Sequence, residues 1–179
     1  KDINPVATAT GSNPSEITDV NGIAFFSAFS VSTGTELWKS DGTDSGTVRV
    51  RDIAVGRGGS YPSQLTNVGG ILYFSAQDSS GSELWRSDGT EQGTLRVKDI
   101  ETGSYSSSPT SLTNVAGTLY FFATDRSSGF QLWKSDGSEQ GTMAIKGFSP
   151  TNGVNLPGTV ASVGDHLYFS VDDGTTGLE

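Results

Sequence analysis

Trp38, Trp85 and Trp133 stand 47 and 48 residues apart, and this interval constrains the fold more tightly than any other feature of the chain. Phe26, Phe74, Phe121 and Phe169 keep it at 48, 47 and 48, and Ile17, Leu65, Leu112 and Val160 repeat it again. Three separate landmarks in one register make the chain a tandem repeat. A unit of this length buries its apolar surface only against its neighbours. The repeat sets the expected organisation: unit 1 at 1–53, with the end of a preceding unit at 1–5, unit 2 at 54–100, unit 3 at 101–148, and an incomplete unit 4 at 149–179.

Within the unit that runs from Pro62 to Gly103, four short runs look like strands: Ser63–Val68, Ile71–Ala76, Glu83–Ser87 and Thr94–Ile100. Each is bounded by Gly, Ser, Asp or Pro, and none carries the i, i+3, i+4, i+7 pattern over the ~10 residues that a helix needs. Asp88-Gly89 follows the tryptophan strand, as do Asp41-Gly42 and Asp136-Gly137. Glycine reaches positive φ without a Cβ penalty and aspartate accepts nearby backbone N–H groups, so these are turns. Gly46, Gly93 and Gly141 lead into the next strand, which predicts a compact hairpin of about six residues in place of a minimal two-residue turn.

Ile71-Leu72-Tyr73-Phe74-Ser75-Ala76 is apolar on both of its faces, so this strand must be covered on both sides. Four-stranded antiparallel units with a period of about 48 residues and a doubly covered second strand predict an all-β, β-propeller-like array. A β-solenoid fits less well, because its coils are shorter, about 20–30 residues each. A β-sandwich accommodates the strands but does not explain the strict period.

The segments Glu36-Leu37-Trp38-Lys39-Ser40-Asp41-Gly42-Thr43 and Glu83-Leu84-Trp85-Arg86-Ser87-Asp88-Gly89-Thr90 carry a specific signature. The third copy, Gln131-Leu132-Trp133-Lys134-Ser135-Asp136-Gly137-Ser138, departs from it at its first and last positions. Together with Gly46-Thr47, Gly93-Thr94, Gly141-Thr142, Asp52-Ile53 and Asp99-Ile100, these segments resemble the ELWxxDGT repeat of large bacterial surface and secreted proteins. The resemblance covers essentially the whole chain. It implies an extracellular, adhesive or scaffolding array and no reaction. The Leu-Tyr-Phe strand after a glycine also looks like kelch-type propeller blades.

Composition narrows the chemistry. The net charge is −9, from 11 Lys+Arg against 20 Asp+Glu, with no basic stripe for phosphate contact, so no nucleic-acid partner is expected. The absence of cysteine excludes a thiol nucleophile, a disulfide and a thiolate metal site. A Ser-His-Asp triad would have to use His166, the one histidine. His166 aligns with Ile23, Ile71 and Thr118, a tolerant position that reads as surface. No apolar run reaches the ~18 residues of a membrane span.

Several residues invite a functional reading. The tryptophans could stack on sugar rings, yet their presence in units 1, 2 and 3 fits core packing between units better. The Ser-Asp-Gly-Thr turns resemble the Asp boxes of sialidase-type propellers, themselves turn features. Asp78, Asp125 and Asp173 follow the aromatic strand, with Glu83 and Glu179 closing two of these loops and Gln131 the third. Such oxygens could ligate calcium, but the dense ligand spacing of known calcium loops is missing, so they read as solvated loop acids. The unrepeated acids Glu16, Asp19, Asp44, Glu101, Asp165 and Asp172 show no pairing suited to glycoside hydrolysis. Lys1-Asp2, Arg51-Asp52 and Lys98-Asp99 read as exposed pairs closing the fourth strand. No catalytic, cofactor or metal residue is assigned.

The expectation is therefore a non-catalytic extracellular repeat module of a larger bacterial protein, adhesive or scaffolding, offering a surface to glycan or protein or to further copies of the same units. The alternatives are an accessory segment of a secreted carbohydrate-active enzyme and a subunit of a filament or surface layer. Gly177-Leu178-Glu179 aligns with Gly81-Ser82-Glu83, and Lys1-Asp2-Ile3 with Lys98-Asp99-Ile100, which predicts natural sequence beyond both ends; Leu178-Glu179 as a cloning remnant would move the true end only two residues earlier.

Overall fold

The computed structural model describes residues 1–5, 11–148 and 157–172. Among them there is no helix. The strands form four antiparallel sheets, each assembled from consecutive strands. Sheet A comprises β1 (Ser15–Val20), β2 (Ile23–Ser30), β3 (Gly34–Ser40) and β4 (Val48–Arg49). Sheet B comprises β5 (Ser63–Val68), β6 (Ile71–Asp78), β7 (Gly81–Ser87) and β8 (Leu95–Lys98). Sheet C comprises β9 (Thr110–Val115), β10 (Thr118–Asp125), β11 (Gly129–Ser135) and β12 (Met143–Phe148). Sheet D pairs β13 (Val160–Val163) with β14 (His166–Phe169). Among the described residues no sheet closes on itself. The start of a third strand expected at Gly177-Leu178-Glu179 lies outside the described residues.

The register repeats with the sequence. Phe26 pairs across the strands with Trp38, Phe74 with Trp85, and Phe121 with Trp133. The first strands of sheets A, B and C each carry a bulge, and the same position in each, Glu16, Gln64 and Ser111, sits at positive φ (59°, 60° and 53°). The bulge adds local twist to the strand on which successive sheets meet. There β1 lies against β5, β5 against β9 and β9 against β13. Thr18 Oγ1 donates to the Leu65 carbonyl (3.1 Å) and Thr66 Oγ1 to that of Leu112 (3.2 Å). Asn67 Nδ2 donates to the Asp19 carbonyl (2.9 Å) and Asn114 Nδ2 to that of Asn67 (3.0 Å).

The cores lie between sheets. Phe25 and Leu37 of sheet A meet Leu72, Phe74 and Trp85 of sheet B, with Ile53 of the connecting segment between them. Tyr73 and Leu84 of sheet B meet Leu119, Phe121 and Trp133 of sheet C around Ile100. Phe122 and Leu132 of sheet C meet Leu167 and Phe169 of sheet D, with Phe122 and Phe169 edge to face at 5.4 Å. Alternate residues of one strand thus serve two joints, which explains why β6 is apolar on both faces.

Candidate functional site

The tryptophans pack inside these layers. Trp38, Trp85 and Trp133 are 9%, 5% and 6% exposed, so none offers a ring face to a sugar. Each indole Nε1–H is buried without a hydrogen-bond partner. An unpaired buried donor costs about 1–3 kcal/mol, and the apolar area of the ring offsets it.

The turn aspartates build their own loops. Asp88 Oδ1 accepts from the Thr90 N–H (2.8 Å) and hydroxyl (2.7 Å). Thr90 Oγ1 in turn accepts from the Gly93 N–H (2.9 Å). Asp41 with Thr43 and Asp136 with Ser138 repeat the arrangement. A Cβ at Gly46, Gly93 or Gly141 would collide with the carboxylate of its own turn, which is why glycine recurs there. The hydrogen bonds from Thr43 and Thr90 hold the Asp41 and Asp88 carboxyls below the ordinary value, and those from Ser138 do the same for Asp136.

Glu36 and Glu83 overturn an expectation. Glu83 reads from sequence as a solvated loop acid, yet both carboxylates are 0% exposed. Glu36 accepts from the N–H groups of Ile53 and Ala54 (both 3.2 Å) and from the Ser60 hydroxyl (2.5 Å). Glu83 accepts from the Ile100 N–H (3.0 Å) and from the Ser107 N–H (3.0 Å) and hydroxyl (2.6 Å). Each therefore clamps the segment that carries the chain from its own sheet to the next. Ser60 and Ser107 complete the link, because the Gln77 N–H donates to the Ser60 carbonyl (2.9 Å) and the Thr124 N–H to that of Ser107 (2.8 Å). Burial pushes both carboxyls above the ordinary carboxylate value, against the pull of the serine hydroxyls. The signal available in the sequence was the recurrence of Glu immediately before a buried Leu-Trp pair.

The basic–acidic pairs are also arranged differently from the expectation. Asp52 pairs with Arg49 (3.4 Å) and Asp99 with Arg96 (3.6 Å), three residues back at the end of the same strand. The basic members cross to the next sheet. Lys1 Nζ donates to the Thr47 carbonyl (2.8 Å), Arg51 Nη1 to that of Thr94 (2.6 Å) and Lys98 Nζ to that of Thr142 (3.0 Å).

Asp78 caps its own hairpin through the Ser80 N–H (2.7 Å), and Asp125 through the N–H and hydroxyl of Ser127 (both 2.7 Å). Asp173 lies outside the described residues. Among the described residues, no group of three or more His, Asp or Glu side chains converges as a metal site would. Of the unrepeated acids, Asp44 meets the N-terminal ammonium (3.0 Å), Asp19 accepts from the Gly22 N–H (3.0 Å) and Glu101 from the Arg126 N–H (2.5 Å). These are separate loops, and the structure does not bring those acids together. His166 stands at the surface, 69% exposed, beside Asp165.

No protein-family model, no curated protein and no solved structure matches this chain. The arrangement has to be judged on its own chemistry. The recurring polar groups are occupied in holding turns and joints, and no helix is long and apolar enough to cross a membrane among the described residues. A cavity of about 410 Å³ between the A-to-B segment and the β6–β7 hairpin is lined by Ile53, Val55, Gly58, Gln77, Asp78 and Ser79. It holds one carboxylate, Asp78, which lies 3.8 Å from the Arg96 guanidinium.

Proposed function

We propose that the chain is a non-catalytic repeat module of an extracellular bacterial protein, a β-propeller-like array of sheets that acts as a scaffold and presents a surface to glycan or protein. One observation carries this reading. The residues that recur with the period, which are the tryptophans, the turn aspartates, Glu36 with Glu83 and the Lys1–Arg51–Lys98 set, are all engaged in building sheets or joining them. Approach of the sheets along their first strands supports a fan-like, propeller-like arrangement. The ELWxxDGT resemblance supports the extracellular setting. The test is a glycan array beside a panel of polysaccharide substrates. Micromolar binding to one sugar class without turnover is expected, and turnover of any polysaccharide by this chain alone overturns the reading.

A further inference from the structure

The A–B and B–C joints share one plan and differ at one cleft. In each, the segment between sheets opens at an isoleucine whose N–H donates to the buried glutamate, Ile53 to Glu36 and Ile100 to Glu83. It closes on the serine that completes the clamp, Ser60 or Ser107. The two segments match without a gap, so Ala54 stands where Glu101 does and Gly58 where Tyr105 does. On the facing hairpins Asp78 matches Asp125, and Ser79 matches Arg126. Between sheets B and C the larger side chains bridge segment and hairpin. The Arg126 guanidinium lies 3.4 Å from the Tyr105 ring centre, and the Arg126 N–H donates to Glu101 Oε2 (2.5 Å). Between sheets A and B, alanine, glycine and serine stand in their places around the cavity of about 410 Å³.

The cleft is held in shape by its own joint. The Glu36 clamp ties down the segment, and the Gln77 N–H fixes the Ser60 carbonyl (2.9 Å). Gly59 lies so close to Thr35 that a Cβ would overlap its backbone. A site that needs no ordering keeps more of its contact energy for the ligand. Gly58 is different: its φ lies outside the left-handed region, and a Cβ there would meet nothing within 4 Å. The backbone does not require glycine at this position, and the missing side chain is what leaves the cleft open.

One wall is apolar, from Ile53, Ala54 and the 89% exposed Val55, and the other is polar, from Gln77, Asp78 and Ser79. Asp78 Oδ1 accepts from the Ser80 N–H (2.7 Å) and stands 3.8 Å from Arg96 Nη1, an atom that makes no hydrogen bond. The carboxylate therefore keeps lone pairs for a hydroxyl donor. Arg96 already answers its charge, which weakens its draw on a cation. Asp99, 3.6 Å from the same guanidinium, sets the rim against anions. Small-molecule sites span about 300–1,000 Å³ and combine apolar lining with a few placed polar groups. A pyranose is the complement, with C–H groups on its ring face and hydroxyls at its edge.

We propose that this cleft binds a neutral pyranose of an uncharged glycan, its C–H face on the Ile53–Val55 wall and its hydroxyls on Gln77, Asp78 and Ser79. The proposal rests on the scaffold reading and deepens it by assigning the glycan surface to the A–B joint. The B–C joint carries its own plug, Tyr105 with Arg126, and stays closed.

Proton–nitrogen correlation spectra of the whole chain, titrated with the methyl glycosides of glucose, galactose, mannose and N-acetylglucosamine, read affinity and place together. At least one sugar should shift the amides of Val55, Gly58, Gly59 and Gln77 saturably. A single ring makes only part of a longer glycan's contacts and should bind on the order of 1 mM. Gly58→Tyr with Ser79→Arg copies the plug and should weaken binding at least about tenfold. Gln77→Ala, at an exposed side chain, should weaken it at least about fivefold. Glu91→Tyr, exposed at the opposite end of β7, should change nothing. Unmoved amides outside the cleft report that each variant is folded. The absence of saturable shifts up to about 100 mM of every sugar overturns the proposal. Shifts confined to the B–C segment, or equal binding by the plugged variant, overturn it too. Tighter binding of glucuronic acid than of glucose defeats the neutral ligand. Tighter binding of a Tyr-Arg dipeptide than of any sugar makes the cleft a protein-docking site and defeats the glycan. The scaffold reading fails separately, on cleavage of a bound polysaccharide. Glycan-array binding that survives the plug leaves that reading standing and sinks only the cleft.

Discussion

Glu83 shows what one side chain does in this architecture. Its buried carboxylate receives two backbone donors and one hydroxyl from a segment 17 to 24 residues further on. Glu83→Ala strands those donors and should cost about 3 kcal/mol, read by denaturant unfolding. Glu83→Gln keeps an acceptor and should cost under about 1 kcal/mol. The charge has a pH signature. The folded state holds the Glu36 and Glu83 protons more tightly than the unfolded chain, so their contribution is complete below the unfolded value and is lost as pH rises through the raised folded one. Asp41, Asp88 and Asp136 act oppositely: their contribution is present above the unfolded value and is lost as pH falls through the lowered folded one. Thermal midpoints should therefore peak near the ordinary carboxylate value, and Glu36→Gln with Glu83→Gln should flatten the alkaline flank. A midpoint climbing steadily to neutral pH would contradict the assignment. Trp85→Ala should cost about 3–5 kcal/mol, as large core truncations do. Trp85→Phe removes the unpaired N–H and keeps most of the ring, so it should cost less than about 2 kcal/mol.

At the scale of the element, the Asp-Gly hairpin is both a turn and a docking piece, and glycine separates the two roles. Gly42 and Gly137 have nearly the same φ, 91° and 89°, but only Gly137 lies against a neighbouring sheet. Gly42→Ala should cost about 1–2 kcal/mol for the left-handed backbone alone. Gly137→Ala should cost about 1–3 kcal/mol more, because the Tyr73 hydroxyl must move. Equal losses in the two would remove the docking role. The strands themselves were legible in the sequence because alternation and turn residues are local signals. Ser63–Val68 is found as expected, β6 runs on to Asp78, β7 begins at Gly81, and β8 is shorter than the expected run, from Leu95 to Lys98. Glu36 and Glu83 were not legible as clamps, because their donors come from a polar loop whose path is set only once two sheets have met. Pairing of Asp52 with Arg49 in place of Arg51 has the same origin: Arg51 is drawn away to the Thr94 carbonyl of the next sheet.

Over the whole molecule, stability should follow the number of joints each sheet makes, because in a stacked array each unit is held by its nearest neighbours. Sheet B has a core on both faces, with Leu72 and Phe74 at 0% and Tyr73 at 5% exposure. Sheet C is likewise enclosed by sheets B and D, with Leu119, Phe121 and Phe122 each at 0%. Of sheet D two strands are described, and Val163 and Tyr168 on them are exposed. Amide exchange reports this difference directly, because protection rises from near zero in locally opening segments to the global unfolding energy in the core. β6 and β10 should exchange slowest, by global unfolding, and β13 and β14 fastest of the strands. Uniform protection across all four sheets would show that the array opens as one unit and that the exposed face of sheet D carries no local weakness.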